Sequence, residues 1–243
     1  MRRLALISIV LVGCGRISFE PHTAHDDGAI GDVVLDQPGD ATVDPDLLFY
    51  VSFDGGLADD ARGHALSCMG TCDSIPGRVG PNAVHLNGAS CIVLPDAGDL
   101  HPATYTVSVW ARLPVPAANS DLVAHPLNGA TSFIDTFELW VQPDSGVVML
   151  ANSVQVLTTG LDVTTWHHYV AVYDGSAVLS YVDGGLAGGS SGTTTTMYGA
   201  DPYLIGCDRD NGTEIAHLTG DVDDVRFYGR ALTANEIVAL ANL

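Results

Sequence analysis

The sequence predicts an all-β protein, and three observations predict it. Glycine contributes 27 of the 243 residues, which allows for many turns. Short apolar runs recur with turn residues between them, and Asp-Gly pairs at residues 174–175 and 183–184 are strong hairpin signals. Strand–helix–strand alternation and internal repeats of fixed period are both absent from the sequence. Residues 47–243 therefore predict one β-sandwich of two antiparallel sheets.

The clearest predicted strand covers residues 105–113, where side chains alternate in character. Tyr105, Val107 and Val109 would share one face, whereas Thr106 and Trp110 would share the other. Further strand-like runs occupy residues 48–53, 83–86, 91–94, 137–141, 147–150, 168–173 and 178–182.

A short helix is predicted only at the C-terminus. Thr233 and Glu236 have the spacing of a capping box, and Ile237 and Leu240 follow three residues apart on one helical face. The helix would close the domain at the end of the chain.

The N-terminus has the pattern of an export signal. Arg2 and Arg3 precede a largely apolar stretch at 4–12, which is far shorter than the roughly 20 residues that cross a bilayer as a helix. Residues 11–14, Leu-Val-Gly-Cys, resemble the bacterial lipobox, in which small residues precede a lipidated cysteine. The resemblance implies a lipoprotein signal peptide at residues 1–13 and a membrane anchor at Cys14, an ordinary signal peptide being the alternative.

Localisation follows from the same resemblance. Gly15, rather than aspartate, follows Cys14. In the lipoprotein sorting rule an aspartate at this place retains the protein in the inner membrane. We therefore expect a lipid-anchored protein of the cell envelope, in the outer membrane or at the cell surface.

Residues 14–46 differ in composition from the rest of the chain. Residues 15–46 hold eight acidic side chains against the single Arg16, with scattered Gly and Pro and almost no aromatics. Such a segment cannot bury enough apolar surface to fold alone, so we predict a lipidated cysteine and a disordered acidic tether. The aspartates lack the spacing and the closing glutamate of an EF-hand calcium loop.

Net charge excludes several classes of partner. The chain carries 29 acidic residues, 9 arginines and no lysine, for a net charge of −20. Nothing here could neutralise a run of phosphates, which excludes nucleic acid. Docking on anionic lipid or sulfated polysaccharide is disfavoured for the same reason.

Four cysteines remain beside Cys14, an even number that suits an oxidising compartment. Cys68, Cys72, Cys91 and Cys207 allow three pairings. We favour Cys68–Cys72 with Cys91–Cys207. Zinc coordination is the competing interpretation, although the sequence lacks a second closely spaced pair.

Four segments carry a family resemblance. They are residues 49–64, opening with Phe-Tyr-Val-Ser-Phe-Asp; residues 77–88, opening with Gly-Arg-Val-Gly; residues 165–184, opening with Thr-Trp-His-His-Tyr; and residues 220–237, opening with Gly-Asp-Val-Asp-Asp-Val-Arg-Phe-Tyr. Together they resemble the bacterial laminin-G-like domains of the concanavalin A-like lectin/glucanase superfamily. The resemblance implies a jelly roll of roughly a dozen or more antiparallel strands, and it implies fold far more strongly than function.

Glycoside hydrolysis is the enzymatic interpretation that this resemblance raises. The superfamily's glucanases carry a Glu-x-Asp-x-x-Glu arrangement on one strand, which places two carboxylates across the scissile bond. None of the four glutamates, Glu20, Glu138, Glu214 and Glu236, lies in that pattern, and Glu138 stands alone on its predicted strand. We therefore expect a protein that is not an enzyme.

Calcium is the one cofactor that the resemblance implies. Family members often hold one calcium ion near the junction of the first and last strands, and Asp54 and Asp223 occupy the matching positions. Alternatively, Asp223 or Asp224 pairs with Arg226 or Arg230, or accepts hydrogen bonds from a turn. The tandem His167-His168 is not expected to form a ligand pair, because neighbours on a strand point to opposite faces.

Two classes of function fit a monomeric module of this kind. The first is a ligand-binding module, for which the resemblance implies carbohydrate as the partner; the second is a structural or adhesion module that binds an envelope or extracellular protein. All three tryptophans lie in strand contexts where core packing is expected. Tyr198 and Tyr203 are therefore the candidates for exposed aromatics that stack on a sugar.

Overall fold

The computed structural model describes residues 44–127, 135–192 and 195–243. The predicted signal peptide, Cys14 and residues 14–43 of the predicted tether lie outside the described residues. Within them the chain forms seventeen strands, which are β1 Leu47–Val51, β2 Ser67–Met69, β3 Cys72–Pro76, β4 Asn82–Asn87, β5 Cys91–Leu94, β6 Tyr105–Arg112, β7 Ser120–His125, β8 Asp135–Val141, β9 Val147–Asn152, β10 Val154–Thr158, β11 His167–Tyr173, β12 Ala177–Val182, β13 Gly185–Ser191, β14 Tyr203–Ile205, β15 Asp208–Asp210, β16 Thr213–Ile215 and β17 Thr219–Tyr228. A 3₁₀ turn at Gly98–Leu100 and helix α1 at Ala234–Leu240 complete the described elements.

The strands form two large sheets and one small hairpin. The eight-stranded sheet has the order β13-β12-β11-β6-β17-β4-β3, with β1 also paired to β17. The seven-stranded sheet has the order β10-β9-β8-β7-β14-β5-β2, and β15 pairs only with β16. The pairings are antiparallel throughout the described strands. The predicted all-β sandwich with a short C-terminal helix is confirmed.

The main core fills the space between the two sheets. Tyr105, Val107 and Val109 of β6 are buried in it, as their alternation predicts. Their rings and side chains meet Phe137 of β8 and Phe227 of β17, and the centroids of Tyr105 and Phe137 lie 5.4 Å apart. Burial of apolar side chains from both sheets is the main term that stabilises such a sandwich.

A second apolar cluster covers the outer face of the eight-stranded sheet. Helix α1 packs Ile237 and Leu240 onto Val170 and Tyr228. The predicted capping box is present, since the Thr233 side chain accepts a hydrogen bond from the Glu236 amide and the Glu236 carboxylate accepts one from the Thr233 amide. In the described part of the chain, no helix is both long and apolar enough to span a membrane.

Residues 44–46, which the sequence analysis assigns to the tether, contact the sandwich. The Asp44 carboxylate lies 2.7 Å from an Arg230 Nη atom, and the Asp46 carboxylate lies 3.3 Å from Arg230 Nε. Arg62 donates a hydrogen bond of 2.6 Å to the carbonyl of Pro45. The last two acids of this segment therefore both pair with Arg230 of the folded domain.

Both disulfides of the favoured pairing are present. Cys68–Cys72 joins the short edge strands β2 and β3 across a separation of 4 residues. Cys91–Cys207 joins β5 to the residue before β15 across a separation of 116 residues. The second disulfide therefore fixes the start of the β15–β16 hairpin, and with it Asp208, to the seven-stranded sheet.

Candidate functional site

Asp54, the first predicted calcium ligand, forms hydrogen bonds with a loop at residues 77–82. Its carboxylate accepts a hydrogen bond of 2.9 Å from the Asn82 amide, and the Asn82 side chain donates one of 3.3 Å to the Asp54 carbonyl. A Cβ atom at Gly80, where φ is +67°, would lie 2.3 Å from an Asp54 carboxylate oxygen. The close approach of Asp54 therefore requires glycine at residue 80.

Asp223, the second predicted ligand, contacts the same loop from β17. One carboxylate oxygen accepts hydrogen bonds of 2.7 and 2.8 Å from the amides of Arg78 and Val79. The other oxygen is buried without a partner in the described residues, and burial raises the pKa of Asp223 to about 7. Asp54 and Asp223 thus share the 77–82 loop. They form no group with a third His, Cys, Asp or Glu side chain among the described residues, so calcium at this pair stays a prediction.

The neighbouring Asp224 makes the ion pair that the alternative interpretation proposed. Its carboxylate accepts a hydrogen bond of 2.7 Å from Arg226 Nε and one of 3.0 Å from the Tyr50 hydroxyl. Both Asp224 and Arg226 are buried. This is a compensated pair inside the fold, and it leaves no position for a ligand.

The tandem histidines lie in different environments. The His167 ring contacts the Asp183 carboxylate at 2.7 Å through Nδ1, and its Nε2 atom lies 3.1 Å from the Asp162 carbonyl. The His168 ring is buried against Ser108, 2.7 Å from its hydroxyl. They share no metal-ligand group among the described residues.

The expectation for Tyr203 is wrong, and that for Tyr198 holds only in part. Tyr203 belongs to β14 and is buried in the main core, so it cannot present a ring to a sugar. Tyr198 is half-buried: its ring stacks on His101 at 4.4 Å, and its hydroxyl donates to the Pro102 carbonyl. Apolar contacts with the sheet hold Tyr203 in the core rather than in the predicted loop.

Three carboxylates that the sequence analysis did not group meet on the outer face of the seven-stranded sheet. They are Asp121 of β7, Glu138 of β8 and Asp208 of β15, and we call them the carboxylate cluster. One ligand atom from each lies within 4.8 Å of the others. Glu138 points away from the core because its neighbours Phe137 and Leu139 point into it. Glu138 is the only acidic residue of the predicted strand at 137–141, and its partners in the cluster come from β7 and β15.

The protein offsets the burial of this cluster only in part. Asp121 is fully buried, and no N–H or hydroxyl group of the described residues donates to its carboxylate; its hydrogen-bond partner is the Glu138 carboxyl group. One Asp208 oxygen is also buried without a partner. Loss of water around these groups raises the pKa of Glu138 to about 8 and raises the pKa of Asp121 and of Asp208, with the nearby negative charges adding to the effect.

These three groups offer only oxygen ligands. Hard cations such as calcium take carboxylate oxygens, and a cation would offset both the desolvation and the mutual repulsion of the cluster. Only a weak sign of the carboxylate cluster is visible in the sequence. Asp121 is the one carboxylate of strand β7, but its partners lie 17 and 87 residues further along the chain.

A surface groove of about 480 Å³ lies at one end of the eight-stranded sheet. We call it the Arg112 groove, and its lining residues are His85, Arg112, Leu113, Pro114, Thr164, Thr219, Gly220 and Asp221. Asp221 of β17 faces both Arg112 of β6 and His85 of β4 in the strand register. Its two carboxylate oxygens lie 2.7 Å from Arg112 Nε and 2.7 Å from His85 Nδ1.

Trp166 stands beside this groove, against the expectation that all three tryptophans are core residues. Trp110 and Trp140 are buried, whereas Trp166 is half-buried just before β11. The Arg112 guanidinium lies 4.9 Å from the centroid of the Trp166 ring. A second groove of about 440 Å³ adjoins the first, with Pro114 and Thr219 lining both.

Solved structures with the same architecture come from several kinds of protein. Domain 4 of an extracellular arabinanase from Geobacillus stearothermophilus, solved with arabinotriose, matches with a TM-score of 0.62 and 21% identity over 80% of this chain and 98% of that one. The binding domain of paraclostridial mosquitocidal protein 1 has a TM-score of 0.65 and 15% identity over 81% of this chain. This chain spans about half of that structure, 52%.

An enzyme is also found among these structures. A mutant of Trypanosoma rangeli sialidase with trans-sialidase activity matches with a TM-score of 0.64 and 20% identity, over 81% of this chain and 32% of that one. Identities this low show the fold alone.

The sequence itself matches a family model. No curated protein matches the chain significantly. A laminin-G-type family model, described as the concanavalin A-like lectin/glucanases superfamily, matches residues 86–238. The match runs from the last two residues of β4 into helix α1 and so includes strands β5 to β17, the carboxylate cluster and most of the Arg112 groove, but not β1, β2 and β3. The chain belongs to the concanavalin A-like lectin/glucanases superfamily.

Proposed function

We propose that this protein is a non-catalytic carbohydrate-binding module whose site is the Arg112 groove. The observation that carries the proposal is the arrangement of Arg112, Trp166 and Asp221, which combines an aromatic ring with a fixed pair of charged groups. Sugar rings are recognised by an aromatic face together with polar side chains that hydrogen-bond their hydroxyls. The similar arabinanase domain was solved in complex with arabinotriose, which supports carbohydrate as the class of ligand.

The groove has its polar groups in place before a ligand arrives. Asp221 orients Arg112 through Nε, and the Nη atoms of Arg112 make no hydrogen bond with the residues that the structure describes. Those donors, with the Thr219 hydroxyl, are available to sugar hydroxyls, whereas the Thr164 hydroxyl already donates to the Asp162 carboxylate at 2.6 Å. Fixing Arg112 in advance reduces the entropy lost on binding.

The charge of the domain narrows the ligand to a neutral glycan. Residues 47–243 hold 21 acidic side chains and 6 arginines, which disfavours sulfated or strongly anionic sugars. Two adjoining grooves of about 480 and 440 Å³ offer space for more than one sugar unit. We therefore propose a neutral oligosaccharide.

Non-catalytic function is also part of the proposal. Glycosidases hold two carboxyl groups about 5–9.5 Å apart so that substrate or water fits between them. Within the carboxylate cluster, ligand atoms of Asp121, Glu138 and Asp208 lie within 4.8 Å of one another. This spacing suits one shared cation better than a glycosidic bond.

We further propose that the carboxylate cluster, rather than Asp54 and Asp223, binds the calcium ion that the family resemblance implies. Asp121 and Asp208 keep buried oxygens to which no N–H or hydroxyl group of the described residues donates. Asp223 also keeps one such oxygen, but its other oxygen and the Asp54 carboxylate accept amide hydrogen bonds from the 77–82 loop, and no third ligating side chain of the described residues joins them. An ion at the cluster would hold β7, β8 and the β15–β16 hairpin together and contribute to stability.

For the cellular setting we propose a lipid anchor at Cys14 that places the module in the cell envelope, at the outer membrane or cell surface. The lipobox-like residues 11–14 support this. Mass spectrometry of the processed N-terminus tests it. A diacylated Cys14 is expected in the native protein, and a Cys14→Ala variant should leave the membrane fraction; an unmodified Cys14 would contradict the anchor.

A glycan array tests the binding function. Full-length protein, purified in detergent with its disulfides intact, is applied in calcium and again in a calcium chelator. Binding to neutral glycans is expected, with at least a tenfold loss in Arg112→Ala and in Trp166→Ala. Arg62→Ala is the matched control, because the side-chain exposure of Arg62 (36%) is close to that of Arg112 (42%).

Two outcomes would overturn the proposal. Equal binding by the native protein and both groove variants would place the sugar site elsewhere. No glycan binding in either condition would reject carbohydrate and favour the alternative, an adhesion module that binds an envelope or extracellular protein. A pull-down from the cell envelope would then identify that protein.

A further inference from the structure

A third group of ligating side chains lies at one end of the seven-stranded sheet, apart from the carboxylate cluster and the Arg112 groove. It consists of Asp96, His101 and His125. Asp96 Oδ1 lies 2.6 Å from His101 Nε2 and 3.8 Å from His125 Nε2. We propose that these three side chains bind a divalent transition-metal ion of the zinc type, through the two Nε2 atoms and the Asp96 carboxylate.

The fold brings these residues together from two connections and the end of one strand. Asp96 follows the end of β5 at Leu94, His101 follows the 3₁₀ turn that ends at Leu100, and His125 is the last residue of β7. Strand β14 lies between β5 and β7 in the sheet. Two of the three ligands are therefore attached directly to regular structure, which gives a site its rigidity.

The hydrogen bonds of His125 show which of its ring nitrogens is free. Thr136 has one hydroxyl proton, and it donates that proton to the Met197 carbonyl. The Thr136 oxygen, 2.9 Å from His125 Nδ1, must therefore accept a hydrogen bond, and Nδ1 must carry the ring proton. In the neutral ring, Nε2 then has a lone pair and no proton.

That lone pair has no partner in the described part of the protein. His125 is fully buried, and its Nε2 atom makes no hydrogen bond with a described residue. It faces the Asp96 carboxylate, and two acceptors 3.8 Å apart repel one another unless a cation lies between them. A metal-binding histidine commonly donates its second nitrogen to an oxygen in this way, which fixes the ring and the tautomer.

His101 is positioned by stacking. Its ring lies 4.4 Å from the Tyr198 ring at an interplanar angle of 12°, and the Tyr198 hydroxyl donates a 2.7 Å hydrogen bond to the Pro102 carbonyl. Tyr198, which the sequence analysis offered as a sugar-stacking residue, thus supports a ligand. The side chains of Asp96 and His101 are 19% and 29% exposed, so solvent reaches one side of the site.

The ligand set and its spacing select the metal class. Two imidazoles with one carboxylate suit zinc and other transition metals, whereas calcium prefers oxygen alone. Tetrahedral bonds of about 2.0–2.1 Å separate ligand atoms by about 3.3 Å. The 2.6 and 3.8 Å separations lie on either side of this value, so small side-chain adjustments would complete the site.

A second His–Asp pair provides an internal control. His167 also contacts an aspartate, Asp183, at 2.7 Å, but its other ring nitrogen lies 3.1 Å from the Asp162 carbonyl. Both of its nitrogens have partners, and no third ligating side chain joins them among the described residues. If His–Asp pairs bound metal in general, the pair of His167 and Asp183 would also bind it, and replacing His167 would weaken zinc binding.

Zinc titration tests the proposal. Full-length protein without a polyhistidine tag is stripped of metal and titrated with ZnCl₂ in competition with a chromophoric chelator, and cobalt(II) then reports ligand geometry by its absorption spectrum. One zinc ion per chain is expected, with at least 100-fold weaker binding in His101→Ala and His125→Ala and no change in His167→Ala. Thr136→Val should weaken binding about 10–100-fold, because it removes the acceptor that fixes the His125 tautomer.

The His101→Ala variant keeps the test decisive if His125→Ala, which changes a buried residue, misfolds. His101 lies in an exposed connection, so His101→Ala should retain the circular dichroism spectrum of the native protein. Absence of zinc binding in the native protein would overturn the proposal. Zinc binding that is unchanged in a folded His101→Ala variant would overturn it equally.

Discussion

The outer faces of the two sheets bury charge in opposite ways. On the eight-stranded sheet, Arg226 is fully buried, contacts the Asp224 carboxylate at 2.7 Å, and lies with its guanidinium 4.2 Å from the Tyr50 ring. On the seven-stranded sheet, Asp121 is equally buried, but its described hydrogen-bond partner is another carboxyl group, that of Glu138. Similar burial thus accompanies an ion pair on one face and a group of like charges on the other.

The difference separates structural groups from candidate site groups. A buried charge is tolerated when a partner of opposite sign and well-placed hydrogen bonds offset its desolvation. A group without such partners shifts its pKa or binds an ion from outside. The same criterion that marks Arg226 and Asp224 as structural marks the carboxylate cluster, and independently His125, as sites for a cation.

The largest expected effect concerns the disulfide beside the carboxylate cluster. Because Cys91–Cys207 closes a loop across 116 residues, replacing both cysteines with alanine should lower the free energy of unfolding by about 4–5 kcal/mol on the chain-entropy model. Replacing Cys68 and Cys72, only 4 residues apart, should cost about 2 kcal/mol. Urea denaturation measures both, and equal losses would show that loop length does not govern them.

The next largest effect tests the compensated face. Arg226→Met should lower the free energy of unfolding by about 3–5 kcal/mol, because it leaves the Asp224 carboxylate buried without its cation. Adding Asp224→Asn should restore part of this loss, because it removes the unpaired buried charge. Asparagine also tolerates the positive φ of 47° at that residue. Thermal and urea unfolding provide the measurement; a double variant less stable than Arg226→Met would argue against charge compensation.

Calcium should stabilise the opposite face. At a calcium concentration 100 times the dissociation constant, the native protein should gain about 2.7 kcal/mol over the chelated protein. Asp121→Asn should remove this gain while leaving stability in chelator unchanged or higher, because the variant has one buried carboxylate fewer. Differential scanning calorimetry with and without calcium checks both. A calcium gain that survives in Asp121→Asn would remove the cluster from consideration.

The pH dependence of stability sharpens the same comparison. The pKa of Glu138 is raised from 4.5 in the unfolded chain to about 8 in the folded one, so the folded state binds more protons across that window. In chelator, the free energy of unfolding should therefore fall as pH rises from about 4.5 to 8. Relative to Glu138→Gln, the fall should be at least about 1.4 kcal/mol, the equivalent of one pKa unit. Parallel pH profiles for the two proteins would contradict the assigned shift.

The smallest effect on stability is expected at the Arg112 groove. Arg112 pairs with Asp221 at the surface, and exposed ion pairs contribute about 0–1 kcal/mol. Arg112→Ala should therefore change the free energy of unfolding by less than about 1 kcal/mol while it weakens glycan binding at least tenfold. A loss of several kcal/mol would instead make Arg112 a structural residue.

The fold could be predicted because its signals are local. Alternation along residues 105–113, Asp-Gly turns and the Thr233–Glu236 capping box each depend on neighbours in the chain, and all three are confirmed. The favoured disulfides are confirmed as well. The prediction of an exposed loop at Tyr203 is wrong because its strand, β14, is only three residues long and is defined by its partners in the sheet.

The candidate sites could not be predicted because their residues meet only through sheet pairing. Asp121 and Asp208 are 87 residues apart, and Arg112 reaches Trp166 only because β6 pairs with β11. No spacing rule joins such residues. A lone carboxylate within a strand, as at Asp121, was the one local sign, and it identifies a member of a site without its partners.

The most direct test of the account is a calcium titration by isothermal calorimetry. Native full-length protein, Asp121→Asn and Asp54→Asn are stripped with chelator and titrated in parallel. The account predicts one calcium ion in the native protein and in Asp54→Asn, and at least a tenfold weaker site in Asp121→Asn. Calcium binding that is lost in Asp54→Asn but retained in Asp121→Asn, or absent from all three, would contradict it.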